Sequence, residues 1–600
     1  MLAQQMNIVG ISAFFHESAC CLIQDGRLAA AAEEERFSRV KHDPRLPVDA
    51  FRFCLRRGGI GIADVDAIAY YESPVRKLSR QLWASVPEGA SPDLPWLDPG
   101  QPLRAIREGL GYEGPVRMFS HHASHAASAF FFSGFQEAAL LTVDGVGEWT
   151  TTAYGQGRGA GLDLFEEVEL PHSLGLLYST LTAYLGFEVN DGEYKVMGLA
   201  PYGEPRFAPQ VRELVASLPG GQYRLNLRYF DFLRGRRMFS PALCDLFGAP
   251  PREPESEILP FHRDVARSLQ GVLEEILLEK VWYLHERTGL DDLCMAGGVA
   301  LNCVANGRIR RQGPFRRLFV QPAAGDSGGC VGAAALAYAE ATGERPGPDP
   351  LTHACLGPSW GSEEIAGLLA ATGLPALDFR GREAELLEAV VDRLADRKVA
   401  GWFHGPMELG PRALGARSLL ADPRDPGARE RLNRLVKKRE AFRPFAPSVL
   451  AAHAAEHLDL DHPSPFMLET CQVRSPLDLP AVTHVDGSAR PQTVDPAVAP
   501  RYAALIEAFR RRTGCPILVN TSFNVRGEPI VASPVDALFC LGSTEIDCLV
   551  LEDFLIDRDV LPESWRDLLP AWRQRLRSGF GGRGGRDGDA VISKDLYTFV

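Results

Sequence analysis

No Cys-x-x-Cys pair occurs in the chain, although it holds twelve cysteines between Cys20 and Cys548. That spacing excludes zinc-knuckle and thioredoxin-type chemistry, and thiols inside apolar runs such as Leu293-Cys294-Met295 and Phe539-Cys540 read as buried and reduced. Nowhere do eighteen consecutive apolar residues occur, and the start MLAQQMNIVGISA has no basic region leading into a long apolar stretch. Neither a membrane span nor a secretory leader is expected, so the chain is expected in the cytoplasm. Basic excess is missing too: the formal net charge of -13 gives no general attraction to nucleic acid, and no nucleic-acid partner is expected.

What is present is an ordinary globular composition, 45% hydrophobic and 24% charged over 600 residues. That length suggests two large domains or three small ones. Asn7–Ser12, Ser18–Ile23 and Arg27–Glu33 read as three strands with a turn at Asp25-Gly26. The same grammar returns at Ala138–Val143, turns at Asp144-Gly145 and resumes over Glu148–Tyr154, which suggests an internal duplication. Helical spacing marks Val48–Gly58, Ser124–Phe132 with Ser124 as a cap, Asp264–His285 and Tyr502–Arg512. Strands alternating with helices predict an α/β fold. The Pro/Gly-rich stretch 343–350 reads as a linker, giving domains over 1–350 and 351–560 and a partly flexible tail over 561–600 that contains GFGGRGGRDGD.

Chemistry concentrates in a few segments. His121 and His125 in His121-His122-Ala-Ser-His125 stand four apart, on one face of a helix, where two imidazoles can hold one cation or serve as ordinary buried histidines. Asp144 closes a strand and Asp326 sits in Pro322-Ala-Ala-Gly-Asp326-Ser-Gly-Gly329; each is a candidate ligand or a turn former. Gly297-Gly298 and Gly328-Gly329 lie where a strand feeds a helix, as phosphate-binding loops do and as tight turns also do. Arg412, Arg417, Lys437, Lys438, Arg443, Arg490 and the run Asn520-Thr521-Ser522-Phe-Asn524 gather cations and amides suited to an anionic substrate bearing a neutral amide, or to surface ion pairs.

Taken together these segments resemble the O-carbamoyltransferases of the nodulation protein U, tobramycin and saxitoxin-pathway type, over residues 6 to 557. The resemblance rests on Gly10-Ile-Ser-Ala-Phe-Phe-His16-Glu-Ser, Glu33-Glu-Glu-Arg-Phe-Ser-Arg-Val-Lys-His42, the histidine cluster, Asp144-Gly-Val-Gly-Glu-Trp149 and Gly192-Glu-Tyr-Lys-Val-Met-Gly-Leu-Ala-Pro-Tyr-Gly203. It rests further on Ala296-Gly-Gly-Val-Ala-Leu-Asn302, the Asp326 loop, Met407-Glu-Leu-Gly-Pro-Arg-Ala-Leu-Gly415, Phe442-Arg-Pro-Phe-Ala-Pro-Ser448 and Asn520-Thr-Ser-Phe-Asn-Val-Arg-Gly-Glu-Pro529.

It implies a duplicated actin and sugar-kinase-like (ASKHA) domain followed by a YrdC-like domain. It also implies an enzyme that uses carbamoyl phosphate and ATP with Mg, forms a carbamoyladenylate, and carbamoylates a hydroxyl of a small-molecule alcohol, such as a secondary metabolite in antibiotic biosynthesis. Residue by residue it implies metal ligands at His121, His125, Asp144 and Asp326, with His122 outside the set and iron(II), manganese or zinc as the ion. Carbamoyl phosphate would meet Arg412, Lys437, Arg443, Arg490, Asn520 and Ser522. Nucleotide would meet Gly297, Gly298, Asn302, Gly329, Glu193 and Lys195, and His16 is the candidate base with Lys41 and Asp264 as further catalytic candidates. Rival readings are a threonylcarbamoyl-type tRNA modification enzyme and a regulatory protein that binds metal and nucleotide without turnover. A homodimer is only the general prior.

Overall fold

The computed structural model describes residues 6–15, 17–84, 97–233, 237–437, 440 and 442–565, the side chains of Leu435 and Lys437 excepted. His16, Lys438 and the segment 575–589 lie outside the described residues. Two compact units emerge, one of His42–Leu351 with the residues before Arg39, the other beginning at Thr352 and including Arg39–Lys41.

In the first unit Asn7–Ser12 (β1), Ala19–Gln24 (β2) and Arg27–Glu33 (β3) form an antiparallel meander, and Ala67–Tyr70 (β4) and Val116–Met118 (β5) extend it in parallel beyond β1. Glu137–Val143 (β6), Thr150–Arg158 (β7) and Gly161–Glu169 (β8) repeat the meander. After a small hairpin of Val215–Ser217 (β9) and Tyr223–Leu225 (β10), Asp292–Ala296 (β11) and Arg317–Val320 (β12) add to β6 in parallel. The orders 3-2-1-4-5 and 8-7-6-11-12 are therefore one topology written twice. β1, buried at every position, has the near-continuous apolar pattern of a strand covered on both faces.

Two of the boundaries that differ from the sequence reading bear on the site. The second meander resumes at Thr150, not Glu148, because the Glu148 carboxylate turns inward to accept the backbone N–H groups of His121 and Ser73. The histidine helix spans His121–Phe130 with Ser120 in the cap position; Ser124 lies inside it and donates its hydroxyl to the carbonyls of Tyr71 and Ser120. The helix Gly329–Thr342 packs on it so closely that a Cβ at Gly332 would fall 1.7 Å from the Ser124 carbonyl oxygen. Gly332→Ala is therefore expected to destabilise the first unit by about 3 kcal/mol, with the two helices forced apart, read as a lower melting temperature.

The second unit is built on one eight-stranded sheet. Its strands are Leu377–Asp378 (β13), Ala400–Phe403 (β14), Arg417–Ala421 (β15), Ala446–Leu450 (β16), Gln492–Val494 (β19), Ile517–Ser522 (β20), Cys548–Leu551 (β21) and Phe554–Asp557 (β22); Cys471–Gln472 (β17) and Ser488–Ala489 (β18) pair separately. Helices Glu383–Ala395 and Pro500–Thr513 bury Leu386, Val390, Leu505 and Phe509 in a core with Trp402 and Leu419. All twelve cysteines are free thiols, most of them buried. No helix among the described residues is long and apolar enough to cross a membrane.

Candidate active site

The histidine helix, the end of β6 and the turn before Gly329 deliver four side chains to one point. His121 and His125, one turn apart, direct Nε2 atoms to within 2.9 Å of each other. Asp144 Oδ2 lies 3.0 Å from His121 Nε2 and 3.3 Å from His125 Nε2, and Asp326 Oδ1 lies 3.4 and 3.6 Å from the same two atoms. All four residues are buried, and their donor atoms lie within 4.8 Å of one another. A cation bonded at about 2.1 Å holds neighbouring ligands roughly 3.0 to 3.4 Å apart, close to the 2.9 to 3.6 Å between the imidazoles and from them to the carboxylates. Two imidazoles and two carboxylates suit iron, manganese or zinc, and Asp326 Oδ2, buried with no hydrogen-bond partner among the described residues, leaves a further oxygen for the ion. The residues fit a divalent metal.

A supporting layer fixes this geometry. The Gly298 N–H donates to Asp144 Oδ1 at 2.9 Å, orienting the carboxylate as outer-shell partners of metal ligands do. Gly297 can supply that turn because its φ is +92° and a Cβ there would lie 2.3 Å from the Val143 carbonyl oxygen. Glu148 accepts the His121 N–H at the amino end of the histidine helix, where a carboxylate is favoured. His122 points away from the quartet, its Nδ1 2.7 Å from Thr142 Oγ1, and burial together with the neighbouring His121 pushes it well below the ordinary imidazole value.

Without an ion, the charge balance is struck by protons. Burial works against charge on His125, yet the carboxylates of Asp144 and Asp326 overcome it and push the imidazole up to about 9. Burial likewise opposes the Asp144 carboxylate, but His121 and His125 hold it well below the usual range. His125 therefore carries a proton at neutral pH that a metal must displace. Metal uptake at pH 7.5 is expected to release at least about one proton per ion, that of His125, read by calorimetry in buffers of different ionisation enthalpy. In the metal-free protein the raised imidazole contributes stability that is present in full below pH 6.5 and fades as pH rises through about 9.

The other candidates of the first unit divide. Asn302 caps the helix Cys303–Gln312 by accepting the Ala305 N–H and pairs its amide with Gln270. Glu193 accepts the Ser179 hydroxyl and the Asn190 N–H. Lys195 is buried with Nζ 3.6 Å from Asp191. Gly329 opens its helix against the Tyr71 ring. Asp264 braces the turn after Gly203 by accepting the Glu204 N–H, with Arg206 beyond it at 3.5 Å. Lys41 belongs to the short segment counted with the second unit, in which Arg39 donates to the carbonyls of Pro529 and Ile530. The reading of single residues overlooked Glu148 and His42, though both stand inside the quoted motifs. His42 places its ring between Glu17 (3.5 Å) and Asp191 (3.7 Å), and despite burial these carboxylates push it up to about 9.

In the second unit, Ser418 pairs with Ser522, Ala446 with Asn520 and Ser448 with Gln492, so the starts of β15, β16 and β19 and the end of β20 lie at one end of the sheet. Arg412, Arg443 and Arg490 stand in the segments that lead into β15, β16 and β19, and Ser522 ends β20. Lys437 closes a π-helical turn, Leu432–Lys437. Asn520 lies deeper: its amide faces Ala413 O, Ser448 Oγ and Gln492 Oε1, fastening the loop that carries Arg412. Arg417 is a correction to the expected anion-binding set. It is fully buried over the Phe403 ring at 3.6 Å and donates to the carbonyls of Pro358, His404, Gly405 and Ala416, so its guanidinium serves the backbone. Glu408 completes that scaffold by accepting the N–H groups of Leu414, Ala416 and Arg417.

Comparison with known proteins matches both units. The family model described as carbamoyltransferase N-terminus covers residues 7–87 and 109–335, and that described as carbamoyltransferase C-terminus covers 391–558. An uncharacterized protein of Synechocystis is 44% identical, over 94% of this chain and 98% of its own. Nodulation protein NolNO of Sinorhizobium fredii is 39% identical, over 92% and 81%, and a nodulation protein U of Bradyrhizobium diazoefficiens 28% identical, over 87% and 92%. The quartet lies within the segments matched by the N-terminal model, and Arg412, Arg443, Arg490 and Ser522 lie within the segment matched by the C-terminal model; the chain belongs to the carbamoyltransferase family.

Proposed function

We propose that this carbamoyltransferase uses ATP and carbamoyl phosphate to form a carbamoyladenylate and transfers the carbamoyl group to a hydroxyl of a small molecule, a secondary metabolite. The single observation that carries the reading is the buried quartet of His121, His125, Asp144 and Asp326, a donor set whose spacing suits one divalent cation. The repeated sheet topology supports placing the first unit with the actin and sugar-kinase-like proteins, and the second is taken as YrdC-like.

Carbamate is a poor electrophile, and joining it to AMP creates a mixed anhydride with a better leaving group. On the second unit, Arg412, Lys437, Arg443 and Arg490 bind the phosphate of carbamoyl phosphate, while Ser522, with Asn520 beside it, orients the carbamoyl amide. Water attacks the phosphorus of carbamoyl phosphate and the bridging P–O bond breaks, releasing inorganic phosphate and carbamate; the carbamate oxygen then attacks the α-phosphorus of Mg-bound ATP as pyrophosphate departs. On the first unit, Gly297, Gly298, Asn302, Gly329, Glu193 and Lys195 hold the adenylate. His16 removes the acceptor's hydroxyl proton as its oxygen attacks the carbamoyl carbon and the bond to AMP breaks, with Asp264 assisting. His121, His125, Asp144 and Asp326 would hold iron(II), manganese or zinc, which when bound neutralises phosphate charge and polarises the anhydride.

The test is exchange of labelled pyrophosphate into ATP without acceptor. The reading requires exchange that depends on carbamoyl phosphate. Transfer from carbamoyl phosphate that proceeds without ATP and without exchange would overturn it.

A further inference from the structure

Tyr70 closes β4 and Tyr71 follows it, and both side chains are fully buried. Their hydroxyls differ. That of Tyr70 donates to the Ala13 carbonyl at 2.9 Å, whereas that of Tyr71 has no hydrogen-bond partner among the described residues. A buried phenol normally finds a partner, because leaving the group unsatisfied costs more than its bond would contribute. Glu72, next in the chain, is engaged elsewhere: its carboxylate lies 3.0 Å from Lys77 Nζ and 3.4 Å from the Tyr70 hydroxyl.

The elements that carry the quartet also fix the Tyr71 ring. Its backbone N–H donates to the Ile11 carbonyl of β1 at 3.2 Å, and its carbonyl accepts the Ser124 hydroxyl from the histidine helix at 3.0 Å. One side of the ring lies against Gly329, three residues after Asp326, where a Cβ would come within 2.7 Å of it. The ring centroid is 5.3 Å from that of His121, the planes tilted by 53°. A tyrosine hydroxyl titrates at about 10 in water and is a donor at neutral pH in any case. Here burial, then the charges of Glu72, Asp326 and Asp144, push it higher, which puts two of the quartet's carboxylates within electrostatic reach of the phenol. A pinned, unused donor therefore stands beside the metal ligands.

We infer that Tyr71 is a catalytic residue of the transfer step, its hydroxyl donating to the carbamoyl oxygen as negative charge gathers there. When the acceptor oxygen bonds to the carbamoyl carbon, the C=O π electrons move onto the carbamoyl oxygen. The phenol O–H donates to that oxygen and keeps its own proton, while the acceptor's proton passes to the base. As C=O re-forms, the C–O bond to AMP breaks and the electron pair leaves with AMP. A donor already aimed and free of an internal partner needs no reorganisation at that moment, which is where such groups gain their effect. The inference rests on the function proposed above and adds one residue to its chemistry.

Tyr71→Phe removes the oxygen and keeps the ring. The full chain is given carbamoyl phosphate and Mg-ATP, and AMP formation is followed with water or glycerol as the acceptor. Acceptor-free pyrophosphate exchange, metal content and melting temperature are measured on the same preparations. AMP formation is expected to fall about a hundredfold, the loss seen when one oxyanion donor is removed. The fall should lie in kcat, with exchange and metal content at wild-type levels. The melting temperature should hold or rise, because the variant no longer buries an unsatisfied hydroxyl. Tyr70→Phe supplies the contrast: it loses the bond to Ala13 and should melt lower, yet form AMP at the wild-type rate per exchanging enzyme. An exchanging Tyr71→Phe protein that forms AMP as fast as wild type would overturn the inference. So would a fall in metal content or melting temperature matching the loss of AMP, since the hydroxyl would then be a support for the quartet. A wild-type enzyme without exchange would instead overturn the adenylate reading beneath it.

Discussion

Replacing His125 with alanine is expected to lower carbamoyl transfer to the acceptor by more than about a hundredfold while leaving carbamoyl-phosphate-dependent exchange in place. Residues that merely orient metal ligands cost 10- to 100-fold when removed, and His125 is a candidate ligand whose Nε2 stands 2.9 Å from that of His121 and 3.3 Å from Asp144. Its loss also strands the buried Asp144 and Asp326 carboxylates with one imidazole between them. Asp326→Asn should behave alike, since an amide offers the ion a neutral oxygen where a carboxylate stood. Metal content by elemental analysis and transfer should fall together. Equal loss of transfer and exchange would show that the division of labour between the units is wrong.

The converse variant lies in the second unit. Arg490→Met and Arg443→Met are each expected to raise the carbamoyl phosphate KM in the exchange reaction by roughly 10- to 150-fold, the worth of a charge-assisted hydrogen bond of about 1.5–3 kcal/mol. Metal content should not change. Arg443→Lys keeps the charge but loses the planar fork and should recover only part of the affinity. Arg417→Met, by contrast, should act on stability, because it strips four carbonyls of their donor and leaves Phe403 without the guanidinium stacked on it.

Much of this arrangement was legible in the residues. Period and turn chemistry place β1 to β3 within a residue of where they lie, because each strand is short, apolar and bounded by a turn. The recurrence of that pattern at β6 announces a repeated topology, which the sheet orders show. His121 and His125 share a helix face for the reason their spacing suggests.

What was not legible depends on long-range partners. Glu148 reads as the first residue of a strand until the amino end of the histidine helix arrives to use its carboxylate. Gly297 and Gly298 spell a phosphate loop, yet one of their N–H groups is committed to Asp144, a partner 154 residues away in the chain. Arg417 has the composition of an anion ligand and the surroundings of a core residue, and only the packing of Phe403 beneath it separates the two. The helix Pro74–Ala84 buries Lys77 and Arg80 and exposes Val75, Leu82 and Trp83, an orientation set by the carboxylates Glu72 and Glu148 and not by its own periodicity.

The account turns on the quartet as a metal site, and anomalous diffraction from crystals of the metal-loaded enzyme tests that most directly. One peak is predicted, within about 2.3 Å of both Nε2 atoms and of an oxygen from each of Asp144 and Asp326. An enzyme that transfers carbamoyl at full rate after chelation, with no peak among these four side chains, would contradict it.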